Sequence, residues 1–125
     1  MKKIINTNKS PAPIGPYNQA ILKENMLFIS GQIALDPVSM KLNNETIEEE
    51  TNQVMLNLKH ILKEAKMDFS NVVKCSIFMK DMGDYEDINK VYSENFGTYS
   101  PAREAVQVAA LPKNANIEIS VIAVK

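Results

Sequence analysis

The sequence predicts an α+β domain in which two helices pack on one face of a mixed β-sheet, and three observations carry this prediction. Hydrophobic periodicity switches along the chain from short strand-like runs to a long helical run, then to a strand, a second helical run and strands again. Residues 46–65 hold Ile47, Thr51, Val54, Leu58, Ile61, Leu62 and Ala65 at alternating three- and four-residue steps, one apolar stripe between charge-patterned ends. The last run, 117–124, sets Ile117, Ile119, Val121 and Ala123 on one face and Ile122 and Val124 beside Glu118 and Ser120 on the other. Neither face of such a strand can be left mainly in water. A chain of 125 residues buries one core comfortably, so residues 1–125 are read as a single domain.

In chain order, Met1 to Ile5 is a candidate edge strand, and 18–23 and 26–33 form a hairpin turning at Glu24-Asn25. The long helix follows. Thr46 and Glu49 make a capping-box pattern, Glu48, Glu49 and Glu50 suit its positive start, and Lys59 and Lys63 suit its negative end. Residues 72–79 form the next strand. A second helix starts after Gly83 with Asp84 as its cap and Asp87 in its first turn, turns Ile88, Val91, Tyr92 and Phe96 inward, and ends at Gly97 and Pro101. Strands at 102–108 and 117–124 close the chain. Helices cover one side of this sheet, and in so short a chain nothing remains for the other, which is expected to pack against another copy.

Composition narrows the function classes. A formal net charge of -1, with lysines scattered among acids, supplies no basic stripe for phosphate, which disfavours nucleic acid as a partner. No apolar run reaches the roughly 18 residues of a membrane helix, and the polar Asn6, Thr7 and Asn8 cut short any signal-peptide core. The single cysteine, Cys75, permits no internal disulfide and fits a reducing compartment, so a cytoplasmic location is expected.

Two charges interrupt apolar strands: Arg103 in Pro101-Ala102-Arg103-Glu104-Ala105-Val106 and Glu118 in Ile117-Glu118-Ile119. Burying either without a partner is costly. On spacing alone they read as a structural cross-strand ion pair, with an anion clamp and a catalytic base as the functional alternative. Tyr17 closes the Ile14-Gly15-Pro16-Tyr17 turn, either as an aromatic staple or at a site. Gly31, inside Phe28-Ile29-Ser30-Gly31-Gln32, marks a bulge or a ligand's close approach. His60, with no second ligand at metal spacing, reads as a favourable charge near a helix end. Cys75 shares a strand face with Val73, Ile77 and Met79 as an inert buried thiol. No metal site, phosphate loop or serine triad is present in the pattern.

The ordered series Ile14-Gly15-Pro16-Tyr17, Ser30-Gly31-Gln32-Ile33, Val91-Tyr92, Pro101-Ala102-Arg103 and Leu111-Pro112-Lys113, followed by Ile117-Glu118-Ile119, strongly resembles the reactive intermediate deaminase (Rid) family, formerly the YjgF family. The likeness spans nearly the whole chain. It implies a chorismate-mutase-like α+β fold assembled as a homotrimer with pockets at the subunit interfaces. It implies further that Arg103 holds a substrate carboxylate, that Glu118 orients or activates water, and that Tyr17, Ser30, Gly31 and Asn89 line the site. Many relatives carry cysteine where this chain has Ala105. A backbone N–H aimed at the carboxylate survives that change, whereas any role of a thiol is lost, and Glu104 and Gln107 vary the rim.

The implied activity is hydrolysis of 2-imino acids and their enamine tautomers, 2-aminoacrylate/2-iminopropanoate and 2-iminobutanoate, to 2-keto acids and ammonia. No cofactor is required, because the C=N carbon is already electrophilic and one positioned base suffices. The alternatives are a non-catalytic keto-acid-binding regulator, which needs Arg103 but not Glu118, and an RNA-directed translation inhibitor or endoribonuclease, which the charge balance disfavours.

Overall fold

The computed structural model of the chain describes residues 1–125 and contains eight principal elements. These are β1 (Lys3–Ile5), β2 (Ala20–Lys23), β3 (Met26–Gln32), α1 (Ile47–Glu64), β4 (Val72–Met79), α2 (Tyr85–Phe96), β5 (Ala102–Gln107) and β6 (Ile117–Val124). The strands form one sheet in the order β1-β2-β3-β6-β4-β5. All neighbours are antiparallel except β4 and β5, which run parallel across the α2 crossover. The mixed sheet with two helices agrees with the expected class.

α1 follows its sequence signals closely. Thr46 is the N-cap and its hydroxyl accepts from the Glu49 amide at 3.1 Å, while Ala65 is the C-cap. The α1 stripe packs on the inner face of the sheet, where Leu27, Val54, Leu58, Ile61, Leu62, Ile77, Met79, Ile88, Ile117 and Ile119 are at most 1 % exposed. β4 and β6 keep their expected bounds. β2 starts at Ala20 rather than 18, because Gln19 serves the preceding loop. Its buried side chain accepts from the Thr7 amide and donates to the carbonyls of Thr7, Ser10 and Pro11. The expected strands at 26–33 and 102–108 each stop one residue early.

The start of α2 differs from expectation. Asp84 occupies the N-cap position but makes no side-chain cap bond. The chain enters α2 through a 3₁₀ turn, Met82–Asp84, and Asp81 accepts from the Gly83 amide at 2.8 Å. The orphan amide therefore falls a turn earlier than a simple helix start would place it.

Central β6 has the two-sided character read from its sequence. Ile117, Ile119, Val121 and Ala123 lie under the helices, while Glu118, Ser120, Ile122 and Val124 are half-buried on the outer face. Across that face Ile122 pairs with Phe28 and Val124 with Met26. Phe28 is 42 % exposed, so the outer face presents apolar side chains without a cover in one chain.

Glu50 suits the positive end of α1, and it does more than that. It is fully buried, and its two oxygens accept from the backbone amide and the side-chain Nδ2 of Asn116, each at 2.7 Å. This ties the start of α1 to the residue before β6, two positions from Glu118. Glu50→Gln is expected to set an amide donor against one of those donors and to lower stability by about 2–4 kcal/mol. Urea denaturation of the purified variant measures it.

Candidate active site

The residues expected to form the site fall into two groups. The first is built on the outer face of the sheet. Between Ile29 and Gln32 the β3 register against β6 slips, because Ile29 pairs with Val121 and Gln32 with Ile119. One extra residue is thus accommodated on β3, and Ser30-Gly31 is the bulge that the strand glycine suggested. The Ser30 hydroxyl donates to the Asn18 carbonyl at 2.7 Å and its amide to the Gln19 carbonyl at 2.9 Å. Gly31 is required by close approach. A Cβ there would stand 2.7 Å from Cδ and 2.8 Å from Oε2 of Glu118, so any side chain would push the carboxylate away. Tyr17 leans in from the turn, its phenol accepting from the Ile14 amide at 3.3 Å. Ile14, Tyr17, Ser30, Gly31, Pro112 and Glu118 line one open cleft of about 340 Å³.

No group of the chain forms a hydrogen bond or ion pair with the Glu118 carboxylate; the chain's one ion pair is Lys74–Glu104 at 2.7 Å. Partial burial alone lifts the Glu118 carboxyl above the ordinary glutamate range, because desolvation disfavours the charged form.

The second group lies on the inner face at the edge strand. Arg103 pairs in register with buried Cys75, and Ala105 with Ile77, so both point to the helix side. The Arg103 Nη1 donates to Asn89 Oδ1 at 2.8 Å and Nη2 to the Tyr85 hydroxyl at 2.9 Å. The guanidinium carbon also sits 4.8 Å from the Tyr92 ring centre and 5.6 Å from that of Tyr85, within cation–π range. Tyr92 is buried and its hydroxyl has no hydrogen-bond partner in the chain. Below it the Cys75 thiol is pushed up to about 11, mainly by burial, which fits the inert reading.

Within one chain, then, Arg103 and Glu118 lie on opposite faces. Glu118 pairs in register with Phe78 and Arg103 with Cys75, three residues away on the same strand, and side chains alternate. The cross-strand ion pair between them does not exist. Nor does a single chain hold one pocket containing both, and Asn89 stands with Arg103 rather than with Tyr17, Ser30 and Gly31. Glu104 and Gln107, expected at the rim, have partners of their own. Glu104 binds Lys74 and Ser76, and the side-chain Oε1 of Gln107 accepts from the Met82 amide. His60 belongs to neither group; its Nδ1 donates to the Lys9 carbonyl at 2.8 Å and clasps the N-terminal segment to α1.

Sequence reasoning misses Tyr85. A signal is there, since Tyr85, Asn89 and Tyr92 recur at four- and three-residue steps on α2, one stripe of a helix. The stripe is polar and aromatic, so apolar periodicity does not register it.

Comparison with known proteins places these observations. The family model described as Endoribonuclease L-PSP matches residues 7–125. The 2-iminobutanoate/2-iminopropanoate deaminase of Bos taurus is 46% identical over 125 residues, covering 100% of this chain and 91% of that protein. Among solved structures, YyfA of the conserved Rid protein family from Yersinia pestis superposes with a TM-score of 0.97 at 40% identity, covering 100% of both chains. E. coli TdcF with bound serine does so at 0.94 and 35% identity, covering 98% of each. The bulge at Ser30-Gly31, the carboxylate above it and the β5 guanidinium held against α2 are thus set in a fold that these proteins share along the whole chain, and the chain belongs to the Rid family, the group also described as Endoribonuclease L-PSP.

Proposed function

We propose that this protein hydrolyses 2-imino acids and their enamine tautomers, chiefly 2-iminopropanoate and 2-iminobutanoate, to 2-keto acids and ammonia, at sites shared between copies of a homotrimer. One observation carries the reading. A guanidinium with three unused N–H donors and an unpaired carboxylate sit on opposite faces of a sheet whose outer face is uncovered. Packing the outer face of one copy against the β5 edge of the next brings the two halves together. The deaminase relatives support the substrate class, and serine bound to TdcF supports a site that accepts a small amino acid.

In the shared pocket Arg103 grips the substrate carboxylate through two parallel N–H donors, each worth on the order of 1.5–3 kcal/mol. That fixes the neighbouring C=N carbon over Glu118. Glu118 takes a proton from water as the new C–O bond forms, the C=N electron pair moves to nitrogen, and Glu118 returns that proton to the nitrogen to give the carbinolamine. Glu118 then takes the carbinolamine's hydroxyl proton as C=O forms and passes it to the departing nitrogen as the C–N bond breaks and ammonia leaves. A raised carboxyl suits a group that must both accept and return a proton. Tyr17, Ser30 and Gly31 border the water side, and Asn89 and the Ala105 backbone the carboxylate side.

An RNA-directed role, which the family's description names, draws less support. The net charge is -1, neither half of the site carries a lysine, and His60 is engaged elsewhere. No helix is long and apolar enough to cross a membrane, and a buried unreactive Cys75 suits a reducing cytoplasm.

The test couples a pyridoxal-dependent dehydratase to this protein with serine or threonine as substrate. Keto acid is expected to appear several-fold faster than with the dehydratase alone, and the same preparation is expected to sediment as a trimer at micromolar concentration. A monomer that still accelerates the reaction sinks the shared site.

A further inference from the structure

The geometry points to Tyr85 as a positioning residue of the carboxylate clamp: its hydroxyl holds Nη2 of Arg103 and thereby selects the guanidinium edge presented to the substrate. The inference rests on Arg103 being that clamp.

Arg103 springs from an edge strand and reaches α2 on a long side chain, so without restraint its guanidinium samples many rotamers. Three residues of one α2 stripe restrain it. Asn89 Oδ1 takes one Nη1 hydrogen at 2.8 Å, the Tyr85 hydroxyl takes one Nη2 hydrogen at 2.9 Å, and the Tyr92 ring lies under the guanidinium carbon at 4.8 Å. The ring fixes the plane of the group but not its rotation within that plane. Two hydrogen bonds on different terminal nitrogens fix the rotation, and one of them is Tyr85's. The half-buried Tyr85 hydroxyl accepts no other bond, and its own O–H has no acceptor in the chain. Packing accounts for the ring, which lies against the edge of the core, but not for the hydroxyl, whose one hydrogen bond is to Arg103; α2 itself docks through buried Ile88, Val91, Tyr92 and Phe96.

Orientation matters because a bidentate carboxylate contact demands two parallel N–H vectors. Swinging of the group within its plane, through the aliphatic torsions of the side chain, turns that rigid fork away from the carboxylate and costs affinity without touching the proton chemistry on Glu118. Tyr85 therefore acts on binding and not on turnover, through Arg103.

Tyr85→Phe deletes one oxygen and keeps the ring. It is expected to raise KM in the coupled assay about 3- to 10-fold and to weaken calorimetric pyruvate binding by the same factor. The turnover number should stay within about twofold, and the urea midpoint should be unchanged. Methyl pyruvate, which has no anion, separates orientation from general loosening: its weak inhibition should be the same in the variant and the parent. Tyr99→Phe, at a phenol that is 60 % exposed, serves as the matched control and should move nothing. The proposal is overturned if Tyr85→Phe keeps the parental KM and pyruvate affinity while Arg103→Ala loses both. It is equally overturned if methyl pyruvate inhibition falls in parallel or the urea midpoint drops. Failure of the underlying reading looks different, because then Arg103→Ala itself binds pyruvate like the parent.

Discussion

Arg103→Ala is expected to abolish keto-acid binding and deaminase turnover together while leaving a folded protein. In the parent, two of the five guanidinium donors are committed to Asn89 and Tyr85, and three remain for a carboxylate. Losing a bidentate charge-assisted contact weakens binding of an anionic ligand by roughly 100-fold or more. Because the same contact holds the reacting carbon over Glu118, turnover falls with it. The fold should tolerate the change. Arg103 is only half-buried at a sheet edge and makes no ion pair, and its loss leaves Asn89 and Tyr85 able to reach water. Calorimetric titration with pyruvate, alongside the coupled assay, measures both effects. A variant that unfolds or dissociates yet binds pyruvate normally when refolded at higher concentration returns Arg103 to a structural role. Arg103→Lys should recover only part of the affinity, since a point charge cannot reproduce the fork.

Glu118→Gln should fail differently, with turnover lower by about 100-fold or more, the usual scale for loss of a general base, and ligand binding retained. Binding of pyruvate should even tighten, because the amide removes a carboxylate that repels the ligand's anion. Two pH signatures follow from the raised Glu118 carboxyl. The base works only when ionised, so the acid limb of kcat/KM should lie above the ordinary glutamate range and vanish in the variant. For stability the sign is opposite to that of a salt-bridged acid. Between the unfolded and the raised folded pKa the native state binds more protons, so stability declines as pH rises through that window. The glutamine variant should lack this decline and be no less stable than the parent at neutral pH.

The two variants together address the shared site. If each pocket takes Arg103 from one copy and Glu118 from its neighbour, an equal mixture of the two inactive proteins, unfolded and refolded together, should regain about a quarter of parental activity, since one subunit pairing in four unites two intact halves. No recovery in verified mixed trimers means that both residues serve one chain's pocket.

Local pattern made much of this fold legible. The Thr46 cap, the 46–65 stripe, the 72–79 and 117–124 strands and the Glu24-Asn25 turn each report a preference of contiguous residues, and the structure keeps all of them. The uncovered outer face was legible too, because Ile122 and Val124 advertise apolar side chains that no element of the chain was left to bury. The chemistry-bearing residues stood out as charges inside apolar runs and as a glycine inside a strand. Which residues share a space was not legible. Strand order depends on contacts between distant segments, and nothing near Ile117 announces that β6 will sit between β3 and β4. The direction of Arg103 was hidden for a related reason. Along Ala102–Gln107 the more apolar alternating face is Ala102, Glu104 and Val106, so the period-two rule would turn Arg103 outward, and only its register against Cys75 turns the guanidinium toward α2. Glu50 likewise reads as a helix-start acid until tertiary packing buries it on Asn116. Residue types and their intervals, set by covalent neighbours, thus determined the elements and the candidates. Pairing between strands far apart in the chain decided that the clamp and the base lie on opposite faces, because side-chain direction in a sheet is a property of register, and register is tertiary.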